Sequence, residues 1–348
     1  MISSLTRLAP DERSCHAACG GKRRAKPLKQ RTRSQVKHSL NRCAMSPWNK
    51  KSFRELVGNI GRMEEYLDTN GFALRPQSAL SSDIAAAREL LNLFESRNIS
   101  QEYPHYEAIT SLANASCLSA VVIGAAGKSF ESQLKTKLEA LKSGVPGPLM
   151  PGAQSKERDT VFEILCGYCC SQFSSDVSFD EPDVCLKYMG GSWALACKVA
   201  YGNPRTIANA VLTGIKQLGR IKPDVGIVMV QLTNIFPHKS MYEYDENNDQ
   251  ISTLHSEQAI RQQLSTLLKH TVQPIEKERM KLIEMHHPSR SSRVRAIIYL
   301  IHTVGYYQGH RTVMGTLYFQ WLSNISTDAE LRFASDFNSA WQDLAWPK

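Results

Sequence analysis

Long apolar runs are missing from this 348-residue chain. The two longest, around Val121 to Gly127 and Ala296 to Ile301, fall well short of the roughly 20 residues a membrane-spanning helix requires, so no membrane partner is expected. No glycine-rich loop of P-loop type is present, which removes the phosphate cradle of an ATP-driven motor. No internal repeat is visible. No second CxxC or matching histidine pair accompanies Cys166-Gly-Tyr-Cys169, which argues against structural zinc. His286, His287, His302 and His310 stand at no ligand spacing and read as ordinary histidines.

Cysteine usage is equally uninformative of a secreted framework. Of nine cysteines, Cys15, Cys19 and Cys43 fall in the first 44 residues, and the others lack disulfide-scaffold spacing. A reducing intracellular compartment, cytoplasmic or nuclear, and a soluble chain are expected. The CGYC core has the spacing of a thioredoxin-like redox pair. Such a pair opens a helix just after a strand, whereas Glu163 to Phe173 continues a helix begun near Lys156. Buried, small apolar thiols are the plainer reading.

Beyond the first 44 residues, net charge is also missing. The formal charge of +9 comes from residues 1–44, which hold 11 Lys and Arg against 2 Asp and Glu; the rest of the chain holds 31 of each. This basic segment lacks apolar periodicity, and residues 1–46 are expected to be a disordered tail. It suits nonspecific phosphate binding or organellar targeting, and it also suits translation starting at Met45.

What is present is a change of pattern along the chain, and 42% hydrophobic content is enough for an ordinary core. Residues 47–149 carry helical spacing: Phe53, Leu56 and Ile60; Ile84, Ala87, Leu90, Leu91 and Phe94; Leu134, Leu138 and Leu141. The proline- and glycine-rich stretch Ser143 to Ser155 ends this helical region. Residues 150–322 then predict helix 156–172, strands near 176–180, 183–188 and 193–199 with a Gly190-Gly191 hairpin turn, and a helix from Pro204 to Gly219. The apolar run Val225 to Leu232 predicts a strand buried on both faces. A polar helical stretch, 255–285, precedes a strand pair at 294–302 and 312–321. Residues 323–348 contain a closing helix, 328–344, expected to pack on the core.

The α-β-β-β-α-β segment concentrates the chemistry. Side chains at i and i+2 of a strand share a face, so Glu181 and Asp183 project together, as do Ala196 and Lys198 on the next strand. Pairing of those strands brings Asp183 and Lys198 to one sheet end. Hydrolysis of a phosphodiester needs hard oxygen ligands for Mg²⁺, a positioned water and a cation near the developing charge. Asp183 can supply the ligand, Lys198 the cation, Glu163 a further carboxylate, and Gln217 a hydrogen bond to water or a phosphate oxygen. Each residue also has a plainer reading: Pro182-Asp183 as a turn, Lys198 as a solvated strand flank, Glu163 on an exposed helix face, Gln217 on the surface. Tyr306, Tyr307, Tyr318, Phe319 and Trp321 beside Arg311 suit a base-stacking surface or a sheet core.

Arg158-Asp159-Thr-Val-Phe-Glu163, Glu-Pro182-Asp183, Leu-Ala196-Cys197-Lys198 and Ile-Lys-Gln217-Leu together resemble the PD-(D/E)xK nuclease superfamily of restriction enzymes and related DNases over roughly 60 residues. The resemblance implies an α/β, restriction-endonuclease-like mixed sheet flanked by helices. It implies Mg²⁺ (or Mn²⁺) held by Asp183, by the acid two residues before the lysine, and by the Cys197 backbone carbonyl. Lys198 would activate or orient the attacking water, with Glu163 as the supporting helix carboxylate. Nucleic acid, DNA rather than RNA, is the implied partner, and a homodimer would cut both strands. The departure is Ala196, where the family carries Asp or Glu. Glu163 or Glu181 can fill the missing ligand's place; otherwise the fold serves as an inactive nuclease relative that binds nucleic acid or a protein partner.

Overall fold

A computed structural model describes residues 53–76, 78–95, 105–142, 155–202, 205–235, 293–307, 310–321 and 327–344, with short pieces at 244–245, 250–251, 266, 268–270 and 272. The expected basic tail, the linker from 143 to 154, most of the 255–285 stretch, His286 and His287 lie outside the described residues, as do the side chains of His310, Arg311 and the aromatic group from Tyr306 to Trp321. All described residues belong to one compact unit, Met45–Lys348.

Four helices come first: α1 (Phe53–Thr69), α2 (Ala79–Glu95), α3 (His105–Ala125) and α4 (Glu131–Lys142). Helix α5 (Lys156–Ser171) leads into β1 (Val177–Ser178), β2 (Val184–Tyr188) and β3 (Gly191–Val199). Helix α6 (Arg205–Ile221) then crosses to β4 (Val225–Gln231). Strands β5 (Tyr244–Asp245) and β6 (Gln250–Ile251) pair with each other; β7 (Val294–Tyr307), β8 (His310–Trp321) and α7 (Asp328–Asp343) complete the described elements. No described helix is long and apolar enough to cross a membrane.

The main sheet is mixed and six-stranded, in the order β1-β2-β3-β4-β7-β8. Strands β1 to β3 form an antiparallel meander, β3, β4 and β7 run parallel, and β8 returns antiparallel. Period-2 alternation divides β3, β4 and β7 between two cores. Leu195, Cys197, Ile227, Met229, Ile298 and Leu300 face the core that also contains Leu56, Leu112 and Phe162 of the helices. Ala194, Ala196, Val228, Val230, Ile297 and Tyr299 face the core built with α6 through Val211, Ile215 and Leu218. The sheet is therefore flanked by helices on both faces, the mixed α/β layering expected from sequence.

Helix α5 enters the first core because nearly every side of it is buried. Its N-cap Ser155 accepts the Glu157 amide at 3.1 Å, satisfying one of the free donors of a helix start. Phe162 meets Trp341 of α7 edge-on at 6.3 Å, and Phe333, Phe337 and Trp341 of α7 belong to the same core. Cys166, Cys169 and Cys170 are buried free thiols. Burial pushes all three well above the ordinary thiol range, which disfavours the nucleophilic thiolate. His302 is likewise a core residue, its ring tilted 33° against Trp341 with centres 3.9 Å apart, and it is pulled down to about 3 by burial.

Two local expectations move. The β2–β3 turn is formed by Met189 and Gly190, both with positive φ (49° and 81°), while Gly191 already pairs with Tyr188. Two left-handed positions in succession make a type I′ hairpin, one residue earlier than the Gly-Gly pair suggests. Helix α6 runs past Gly219 to Ile221. Its exit is set by Lys222, left-handed at φ 57°, followed by Pro223, which cannot extend the helix.

Close approach between α6 and the sheet depends on Gly214. A Cβ there would stand 2.7 Å from Val228 Cγ1 and 3.4 Å from the Ala196 Cβ. Gly214→Val should lower stability by about 1–3 kcal/mol through overpacking, measured by urea unfolding; a variant as stable as the parent would show that α6 can lift off the sheet freely.

Candidate active site

Asp183 follows the cis Glu181–Pro182 peptide and immediately precedes β2. Its carboxylate turns toward the C-terminal end of β3. Oδ2 accepts the Cys197 amide at 2.7 Å and the Lys198 ammonium at 2.7 Å. Lys198 Nζ also donates to the Cys197 carbonyl at 2.8 Å. From α6, Gln217 Nε2 donates to Asp183 Oδ1 at 3.3 Å and to the Pro182 carbonyl. Three of the four sequence-predicted residues thus converge from two strands and a helix. The solvated-flank reading of Lys198 and the surface reading of Gln217 both fail, because each is part-buried and bonded inward.

Glu163 approaches from the other side of β3, on α5. It is ion-paired with Lys137 of α4, whose ammonium also lies 5.3 Å from the Phe179 ring centre. Burial pushes the Glu163 carboxyl up; the Asp183 charge adds to the rise, and Lys137 and Lys198 oppose it. Asp183 is also raised by burial, against the charge and hydrogen bond of Lys198, the Cys197 amide and Gln217. Glu163 and the Asp183–Lys198 pair therefore sense one another electrostatically without direct contact.

Three contributors were not singled out from sequence. Asp159, one helical turn before Glu163, accepts the Tyr201 hydroxyl at 2.8 Å and is raised by burial, with Lys198 opposing and Asp183 adding. The i, i+4 spacing of Asp159 and Glu163 was a usable signal, since it places both on one helix face. Lys137 and Tyr201 had none: one comes from the helical region, the other from the chain leaving β3.

Ala196 and Lys198 share a face of β3 by strand alternation, as expected. Ala196 is fully buried among the α6 core residues, with Gly214 closing over it. Helix α6 packs directly on position 196. Glu181 is exposed, and only its backbone carbonyl has a described contact, accepting the Cys185 thiol at 3.4 Å. Among the described residues, no three His, Cys, Asp or Glu side chains gather into a group that could hold a metal ion.

Comparison with protein-family models, with curated proteins and with solved structures found no match for this chain.

Proposed function

We propose that this chain is a metal-dependent nuclease with a restriction-endonuclease-like core, acting on DNA phosphodiester bonds inside the cell, with a homodimer serving where both strands are cut. One observation carries the reading: the Lys198 ammonium sits between Asp183 Oδ2 and the Cys197 carbonyl. These two hard oxygens are the ones the PD-(D/E)xK resemblance assigns to a cation, and they already hold a positive charge. Asp183 and the Cys197 carbonyl supply one carboxylate and one carbonyl, the oxygen type that Mg²⁺ or Mn²⁺ prefers over sulfur or imidazole; because no group of three ligating side chains surrounds them among the described residues, water and the phosphate would have to complete the shell.

Asp183 and the Cys197 carbonyl would hold the ion, with Glu163 as the supporting carboxylate. A divalent cation there would neutralise charge on the phosphate and promote ionisation of water. Lys198 places its ammonium where charge develops as water attacks the phosphate. Gln217 fixes the Asp183 carboxylate by bonding its second oxygen, and Glu163 can accept a hydrogen bond from water.

A second reading, a silent nuclease relative that binds nucleic acid or a protein, is favoured by a different observation. Ala196 is sealed under α6, and Asp159, Glu163 and Asp183 each already hold an internal partner. The deciding assay follows cleavage of labelled single- and double-stranded DNA and RNA by the full chain with Mg²⁺ or Mn²⁺, beside Asp183→Asn. Cleavage by the parent, reduced at least about a hundredfold in Asp183→Asn, is the expected result. Salt-sensitive binding with no cleavage of any substrate would establish the silent relative instead.

A further inference from the structure

We infer that the outer part of the β7–β8 hairpin is a two-stranded ribbon that enters the major groove of duplex DNA beside the Asp183–Lys198 site. The inference rests on the nucleic-acid part of the proposed function and names the element that holds the duplex; it requires no metal ion.

Register divides the hairpin in two. Strand β4 pairs with β7 only as far as Gln231 and Leu300, and the chain leaving β4 reaches His302, whose amide donates to the Thr233 hydroxyl at 3.0 Å. Five further cross-strand pairs follow, from Thr303–Met314 to Tyr307–His310, in which β7 and β8 have only each other among the described strands. At about 3.3 Å per residue this ribbon is roughly 16 Å long.

The aromatic residues fall on both sides of that division. Tyr318, Phe319 and Trp321 stand opposite Tyr299, Ile298 and Ala296, which are fully buried, so their strand positions belong to the body of the sheet. Tyr306 and Tyr307 belong to the ribbon, opposite Arg311 and His310. A binding role is thereby confined to the ribbon pair.

The ribbon leaves the sheet at the end that carries the site. Strands β3, β4 and β7 run parallel, and Lys198, Val230 and Tyr299 occupy one row across them. Strand β7 continues past that row toward its C-terminus, beyond the sheet end where Asp183 meets Lys198.

Charge and shape select the partner. No Asp or Glu occurs from Ala296 to Thr327, whereas His310 and Arg311 lie in the ribbon, a balance that favours a polyanion. Consecutive strand residues alternate faces, so the Tyr306–Arg311 pair and the Tyr307–His310 pair are placed on opposite faces. Two faces of the same chemistry suit a groove with two walls, in which arginine reads guanine and tyrosine hydroxyls bond phosphates. A stacking platform for an unpaired strand would need both rings on one face. The major groove of B-DNA is wide enough for a two-stranded β-ribbon.

The test is binding of a fluorescently labelled DNA duplex by the full chain, followed by anisotropy in EDTA and again with Ca²⁺ in place of Mg²⁺. The variants are Arg311→Gln, and Tyr306→Thr combined with Tyr307→Thr. Circular dichroism confirms folding, and the two ribbon variants are independent of one another should either fold poorly. Each is expected to bind at least about tenfold more weakly than the parent, while Tyr318→Phe binds as the parent does. Because basic residues 1–44 can also hold phosphates, the contact is mapped with 5-iododeoxyuridine in place of thymidine, which sets the iodine where the thymine methyl faces the major groove. Photoadducts are expected in the tryptic peptide Ala296–Arg311. Adducts confined to residues 1–44, or ribbon variants that bind as tightly as the parent, would overturn the ribbon while leaving nucleic-acid binding standing. Tighter binding of the unpaired strand than of the duplex would overturn groove insertion. Absence of binding of either form by the parent would overturn the nucleic-acid reading together with the ribbon.

Discussion

Asp83→Ala is expected to cost about 3–5 kcal/mol of stability, because it removes the forked carboxylate from a buried guanidinium. Arg158 donates from Nε to Asp83 Oδ2 at 3.2 Å and from Nη2 to Oδ1 at 2.9 Å. The side chains are only 5% and 1% exposed. Burial raises the Asp83 carboxyl, and the Arg158 charge is the largest opposing influence. A forked pair of this kind has little net value relative to apolar residues of similar size, yet removing one partner is costly. Asp83→Leu combined with Arg158→Met should therefore lose much less than Asp83→Ala alone. Urea unfolding of Asp83→Leu, Arg158→Met and the double variant gives the coupling directly. A loss below about 1 kcal/mol in Asp83→Ala would show that water reaches Arg158 and that the pair is not a buried anchor.

The position of this pair connects stability to the site. Asp83 belongs to α2 and Arg158 to the first turn of α5. The neighbouring Glu157 carboxylate accepts the Leu80 amide at 3.2 Å, holding the start of α2. The next residue on α5 is Asp159, and Glu163 follows one turn later. The helical region therefore fixes the end of the helix that presents both acids, and it sends Lys137 onto Glu163. Under the proposed function, loosening the Asp83–Arg158 contact should weaken Mn²⁺ binding as well as stability, although no group proposed to touch the phosphate has changed.

How much of this was legible in sequence follows the range of the interactions involved. The meander β1 to β3, the crossover through α6 and strand β4 came from local signals: alternation, a paired-glycine turn region and a continuous apolar strand. Asp183, Lys198 and Gln217 were found because strand periodicity and element order bring them together. Glu163 was found as a charge amid apolar neighbours. Lys137 and Tyr201 depend on tertiary approach, which no spacing within α5 or β3 encodes. Asp159 was readable from its i, i+4 relation to Glu163 but is outweighed by the more conspicuous Glu163. The packing over Ala196 was also invisible, because its neighbour Gly214 lies 18 residues further along the chain and meets it only after α6 folds back across β3.

That last contact leads to the prediction with the sharpest functional contrast. If Ala196 were simply a lost ligand, Ala196→Asp would restore a metal site. The structure predicts destabilisation by about 3–5 kcal/mol instead. The methyl group is fully buried, faces Gly214, and lies in register with Val228 on β4, so a carboxyl there loses its hydration. Continuing the β2–β3 register by one residue sets position 196 opposite Asp183, adding like-charge repulsion. Lys198, two residues further along β3, is already bonded to Asp183. Both effects raise the new carboxyl in the folded state above its unfolded value near 3.9. Between those two values the folded state binds more protons than the unfolded state, so stability relative to the parent falls as pH rises from about 4. The deficit should be smallest near pH 4 and larger at pH 7, as measured by urea unfolding at both. If Ala196→Asp is as stable as the parent at pH 7 and gains Mn²⁺ affinity, α6 yields at Gly214 and position 196 opens to the site. If the deficit appears with the expected pH sense, the alanine is a packing requirement of α6, and any cleavage must be supported without a carboxylate at that position.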